Sequence, residues 1–228
     1  MPKHPTHRPS LFMGLLAFAV AAVLAGAFAP TAGAFSDRVN ISRMGGDIDL
    51  ADVPDGGSLK TMGGNVHVGK AHNDISITTM GGDISVDSAD GPVKATTMGG
   101  NISVGSANAS VEAKTMGGNV EATLVQDQSS AAHDITLTSM GGEIVLTVPR
   151  DYPMTIDVEL AYTKRNDGRY KITESLGLNE TASQEWDYSH GSARKYLYAR
   201  GKIGNGRNHV TIKTINGNII IKGERSQL

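Results

Sequence analysis

The sequence predicts an all-β protein, a parallel β-solenoid (β-helix) of flattened two-sided coils about 18 residues long. Two observations carry that expectation. A Met-Gly-Gly corner recurs every eighteen residues, at Met44, Met62, Met80, Met98 and Met116. Inside that period Ile48, Val66, Ile75, Ile84, Val93, Ile102, Val111 and Val120 sit on a nine-residue grid, with only Gly57 breaking the series. A second residue follows two later, at Leu50, Leu59, Val68, Ile77, Val86, Ala95, Val104, Ala113 and Ala122. Residues two apart on a strand share a face, so each pair points to one side of its strand. Two such pairs per coil mean two strands per coil, stacked so that neighbouring coils share one core. A hexapeptide helix would instead repeat its apolar residues every six.

The elements follow in chain order. Residues 1–34 read as an export signal: Lys3, His4, His7 and Arg8 are basic, Leu11 to Ala29 is apolar, and Ala32-Gly33-Ala34 has the small-x-small form of a signal peptidase site. If cleavage failed, the nineteen residues 11–29 would be the chain's one route into a membrane. Residues 35–228 form a single solenoid domain. The template is interrupted by six extra residues, around Gln126 to Ala131, and resumes at Ile135, Leu137, Met140, Ile144 and Leu146. It returns once more at Val210, Ile212, Ile215, Ile219 and Ile221, where Thr214-Ile215-Asn216-Gly217-Asn218 replaces Thr-Met-Gly-Gly-Asn. Between them lies an irregular, aromatic-rich insert near 149–208, with strands expected near Met154–Leu160 and Tyr196–Ile203 and a polar stretch, Asn166–Ser192, expected to include a surface loop.

At the corners, nine residues after the first five methionines come Val53, Ala71, Ala89, Ala107 and Val125. The half-period therefore predicts that Met44, Met62, Met80, Met98, Met116 and Met140 form an inward structural ladder, large residues facing small ones across a narrow core. The alternative is a surface ladder for copper(I) or a hydrophobic partner. A polar ladder follows the glycines: Asp47, Asn65, Asp83, Asn101, Asn119, Glu143 and Asn218. Alternating amides and acids favour hydrogen-bonded stacking over a divalent-ion site, and no coil matches the calcium-binding nonapeptide.

Composition narrows function. There is no cysteine, so neither a disulfide nor a lipoprotein anchor exists. Residues 35–149 carry six basic and fourteen acidic residues (−8), whereas 150–213 carry eleven basic and eight acidic (+3). That polarity is not the basic surface of a nucleic-acid binder. The histidines at 67, 72, 133, 190 and 209 lack metal-ligand spacing, and Gly201-Lys-Ile-Gly204-Asn-Gly206 lacks the ending of a phosphate loop. No cofactor, metal or catalytic residue is expected. Some parallel β-helices cleave acidic polysaccharides with charged residues on one outer face; Asp87, Asp90 and Lys94 could lie near one another on such a face, and that enzyme is an alternative reading. The binding candidates are Trp186, Tyr188, Arg194 and Lys195, because aromatic residues and arginine dominate recognition hot spots.

The Thr-x-Gly-Gly-Asp/Asn-Ile/Val corners, with Gly204-Asn205-Gly206 and Thr214-Ile215-Asn216-Gly217-Asn218-Ile219, resemble a bacterial adhesin-like family, a domain of unknown function built of β-strand repeats. The resemblance covers nearly all of 35–228. It implies a β-solenoid and association with the surface or envelope, and its motifs carry no catalytic residues. The resulting expectation is a non-catalytic protein of the periplasm or cell surface whose rigid scaffold presents a face to an envelope protein or glycan. End-to-end self-association is the other alternative. Its basis is an unpaired strand edge near Ile219-Ile220-Ile221, with Lys213 and Lys222 as gatekeepers.

Overall fold

The nine-residue grid becomes two sheets facing each other. A computed structural model describes residues 38–125, 131–189 and 191–225. The expected export signal, residues 1–34, and the inserted residues 126–130 lie outside them. In chain order the strands are β1 (Val39–Ser42), β2 (Ile48–Val53), β3 (Gly57–Lys60), β4 (Val66–Ala71), β5 (Ile75–Thr78), β6 (Ile84–Ala89), β7 (Val93–Thr97), β8 (Ile102–Ala107) and β9 (Val111–Thr115). There follow β10 (Val120–Leu124), β11 (Asp134–Ser139), β12 (Ile144–Pro149), β13 (Met154–Thr163), β14 (Ile172–Glu174), β15 (Asn179–Ala182), β16 (Arg194–Ile203), β17 (Asn208–Ile215) and β18 (Ile219–Glu224). A 3-10 turn, Lys164–Asn166, follows β13.

One sheet runs β1-β3-β5-β7-β9-β11-β17-β13-β16-β15 and the other β14-β18-β12-β10-β8-β6-β4-β2. Pairing is parallel along the coils, in register at the grid positions: Ile48, Val66, Ile84, Ile102, Val120, Ile144 and Ile219 stack in one sheet. Ile75, Val93, Val111, Ile135, Val210 and Ile156 stack in the other. These residues are buried and form one core cluster. Gly57 breaks the series for a steric reason, since a Cβ there would overlap the Val39 carbonyl of β1. Among the described residues no helix is long and apolar enough to cross a membrane.

The methionines correct the expectation. Met62, Met80, Met98, Met116 and Met140 are 46–51 % exposed and Met44 is 86 % exposed, so they form a surface ladder. The two halves of a coil are not equivalent at that position. In the first sheet alternation continues unbroken from Ile75 through Ile77 to Thr79, so Thr79 points in and Met80 points out. In the second sheet the phase slips: Ile84 and Val86 are buried, Asp87 and Ser88 are not, and Ala89 turns inward. A residue five beyond the grid position thus faces opposite ways in the two sheets.

Threonine fills the inward position instead. Thr61, Thr79, Thr97, Thr115, Ser139 and Thr214 are buried. Each hydroxyl donates to the second corner glycine of the preceding coil, as Thr97 Oγ1 does to the Gly82 carbonyl (3.0 Å). In five coils the same oxygen accepts the N–H of its own second glycine, as from Gly100 to Thr97 (3.2 Å). A Cβ on Gly64, Gly82, Gly100, Gly118 or Gly142 would overlap the glycine carbonyl of the coil before it. The glycine carbonyls therefore stack against each other and the hydroxyls tie them together.

The closing coil is out of sequence order in space. β17 lies between β11 and β13, parallel to both, and β18 lies between β12 and β14. The insert thus forms the terminal layer: β13 and β14 make the last coil, and the antiparallel β16 and β15 extend its sheet. Tyr152 is buried and Tyr162 and Tyr170 pack against the core, so part of the aromatic content fills this layer. Ile219-Ile220-Ile221 is an interior strand rather than an edge, and Lys213 and Lys222 stand within paired strands.

Candidate functional site: an aromatic and cationic patch on the terminal layer

Three of the four binding candidates come together on the terminal layer. β13 ends at Thr163, and the chain is held there by Asn216. Asn216 is the one non-glycine described residue with positive φ (55°). Its Oδ1 accepts from the Thr163 N–H (3.1 Å), Thr163 Oγ1 (3.3 Å) and Asn166 Nδ2 (3.0 Å). This clamp fixes the turn that carries Lys164.

Lys164 donates to Tyr188 Oη at 2.7 Å and lies 5.0 Å from the Tyr188 ring centroid and 5.6 Å from that of Trp186. Lys195 lies 5.2 Å from the Trp186 centroid. Tyr162 braces Trp186 edge-on, with centroids 6.0 Å apart and an 82° interplanar angle. Such contacts are worth about 0.5–1 kcal/mol each where solvent reaches them, enough to order a patch without burying it. Tyr188 stays 65 % exposed and Trp186 is half-buried.

Arg194 joins through its backbone. It exchanges N–H···O bonds with Asp187 (2.9 and 2.8 Å), holding the Trp186–Tyr188 segment against β16. Its half-buried side chain leaves Nε without a hydrogen-bond partner among the described residues. Asp187 also accepts from Tyr196 Oη at 2.9 Å, and burial followed by this bond pushes the Tyr196 phenol above its ordinary range. Beside the patch, Thr163, Lys164, Arg165, Asn166, Ser192 and Ala193 line a shallow groove of about 410 Å³. Sequence reasoning missed Lys164, Arg165 and Tyr162. The signal present was Tyr162-Thr163-Lys164-Arg165, just after the strand expected near Met154–Leu160 in the basic part of the chain.

The polar ladder runs along the corner edge. The Oδ1 of Asp47, Asn65, Asp83, Asn101 and Asn119 each accepts the backbone N–H one coil on, at 2.6–2.9 Å. Glu143 accepts from Asn218 Nδ2 (3.3 Å), and Asn218 Oδ1 accepts the Lys171 N–H (3.2 Å). The five Oδ1 atoms are committed to the backbone. Among the described residues no group of three or more His, Asp and Glu side chains is placed to hold a metal ion.

Asp87, Asp90 and Lys94 do not meet. Asp87 contacts His67 Nε2 (3.2 Å), and Asp90 accepts from Asn108 Nδ2 (2.9 Å), both beside the second sheet. Lys94 lies on β7 of the first sheet and donates to Glu112 at 2.9 Å. The chain matches no protein-family model, no curated protein and no solved structure.

Proposed function

We propose that this chain is a non-catalytic exported envelope protein, adhesin-like in type, whose solenoid holds a recognition patch for a protein or glycan partner. One observation carries the reading: an exposed tyrosine and a half-buried tryptophan, bridged by Lys164 with Lys195 also over the tryptophan, at the rim of a groove on a hydrogen-bonded scaffold. Flat aromatic faces pack against sugar rings or apolar side chains, and Lys164, Arg165 and Lys195 favour a partner that carries negative charge. Residues on strands and clamped turns pay little ordering entropy on binding, which favours affinity. Replacing Trp186 and Tyr188 together by alanine tests this. The variant is expected to keep the β circular dichroism of the parent and to lose capture of the envelope partner. Undiminished capture by the folded variant would overturn the proposal.

A second reading, self-association, has one supporting observation. Among the described residues β15 is an edge strand, exposed at all four positions and paired only with β16. Sedimentation that stays monomeric as concentration rises counts against it.

A further inference from the structure

The methionine ladder has no role in holding the corners. Threonine hydroxyls, stacked glycine carbonyls and the polar ladder satisfy the backbone there, and the six thioethers stand outside that network. Scattered exposed apolar residues need no explanation, but a continuous line of them does.

A second feature marks the same line. Each methionine is followed by a glycine, at 45, 63, 81, 99, 117 and 141. None of these six has a positive φ. A Cβ on any of them would meet nothing closer than 3.6 Å. Neither backbone conformation nor packing demands glycine at these six sites, in contrast to the glycine that follows each in Gly64 through Gly142. Their effect is to leave the thioethers flanked by bare backbone, open from the side.

We propose that this ladder binds soft monovalent cations, Cu(I) or Ag(I), between the thioethers of successive coils. An uncharged thioether is a soft donor that selects such ions over hard divalent ones. Successive coils are about 4.8 Å apart. Two sulfurs spanning an ion at about 2.3 Å each, the bond length a cysteine thiolate makes to zinc, are about 4.6 Å apart. The repeat distance therefore matches a near-linear two-coordinate site without backbone movement, and methionine's three rotatable bonds let a third sulfur approach. The polar ladder does not compete, because its Oδ1 atoms already accept backbone N–H groups. The site is independent of the recognition patch.

Silver nitrate is the redox-inert probe. Titrated into the full chain and followed by native mass spectrometry, it is expected to load about three ions, from six thioethers taken in pairs. In a chain carrying Met62→Leu, Met80→Leu, Met98→Leu and Met116→Leu, most of that loading should disappear, with the melting temperature unchanged because the positions are half-exposed. In the parent, the methyl NMR signals of Met62 to Met140 should shift on adding Ag(I) while that of buried Met154 stays still. Equal loading of parent and leucine chains, or ladder methyl signals that do not move, would overturn the proposal.

Discussion

Replacing Thr97 with valine removes one oxygen and leaves the side chain's shape. In the parent that oxygen donates to the Gly82 carbonyl at 3.0 Å and accepts from the Gly100 N–H at 3.2 Å. Thr97, Gly82 and Gly100 are all buried, so water cannot substitute. Each buried polar group left without a partner costs about 1–3 kcal/mol. Two such groups, less what valine gains in apolar burial, give about 3 kcal/mol of destabilisation. For a domain of this size that is a fall in Tm of about 6–12 °C. Thr97→Ser is the control: it keeps the oxygen, loses one buried methyl, and should cost about 1 kcal/mol. Ser139 already occupies this position in its own coil, with the same pair of contacts. Thermal and urea unfolding by circular dichroism decide the matter. A valine variant as stable as the serine variant would refute the idea that the hydroxyls hold the corners.

Gly100→Ala should destabilise strongly, because its Cβ would overlap the Gly82 carbonyl. Gly99→Ala, whose Cβ meets nothing closer than 3.9 Å, should fall within about 0.5 kcal/mol of the parent in urea unfolding. Met98→Ser should also stay within about 0.5–1 kcal/mol, whereas a core methionine truncated this way would cost about 2–5 kcal/mol. His67 lies 3.0 Å from Asp49 and 3.2 Å from Asp87, and these hydrogen bonds raise its pKa above the ordinary histidine value. Its stabilisation is therefore complete below about pH 6.5 and disappears as pH rises through the higher folded-state value. With the side chain 44 % exposed, solvent screening holds the effect below about 1 kcal/mol. Tm measured against pH should show this step in the parent and not in His67→Gln; an identical profile in both would refute it.

The inward residues of both sheets were legible because a period of nine combined with alternation leaves few ways to place Ile84 beside Ile102 and Val66. The methionines were misplaced because a sequence period does not reveal a phase slip. Asp87 and Ser88 together shift one sheet by a residue, and nothing in their chemistry announces it. The buried threonines were visible as a repeated letter, but their role depends on a carbonyl one coil away. On the terminal layer, Trp186 and Tyr188 stood out by composition alone. Lys164 did not, because it reaches them through Asn216, fifty residues beyond Asn166 in the chain and held in a left-handed conformation. Nor could the sequence show that its last matching coil, β17 and β18, sits inside the stack.

The most direct test of the proposed recognition patch is site-specific photo-crosslinking in intact cells that produce the chain, with a probe at position 188 and a second at position 98 as reference. The account predicts a discrete, reproducible partner adduct from position 188 that is absent from position 98. No adduct from position 188, or adducts only with further copies of this chain, would contradict it.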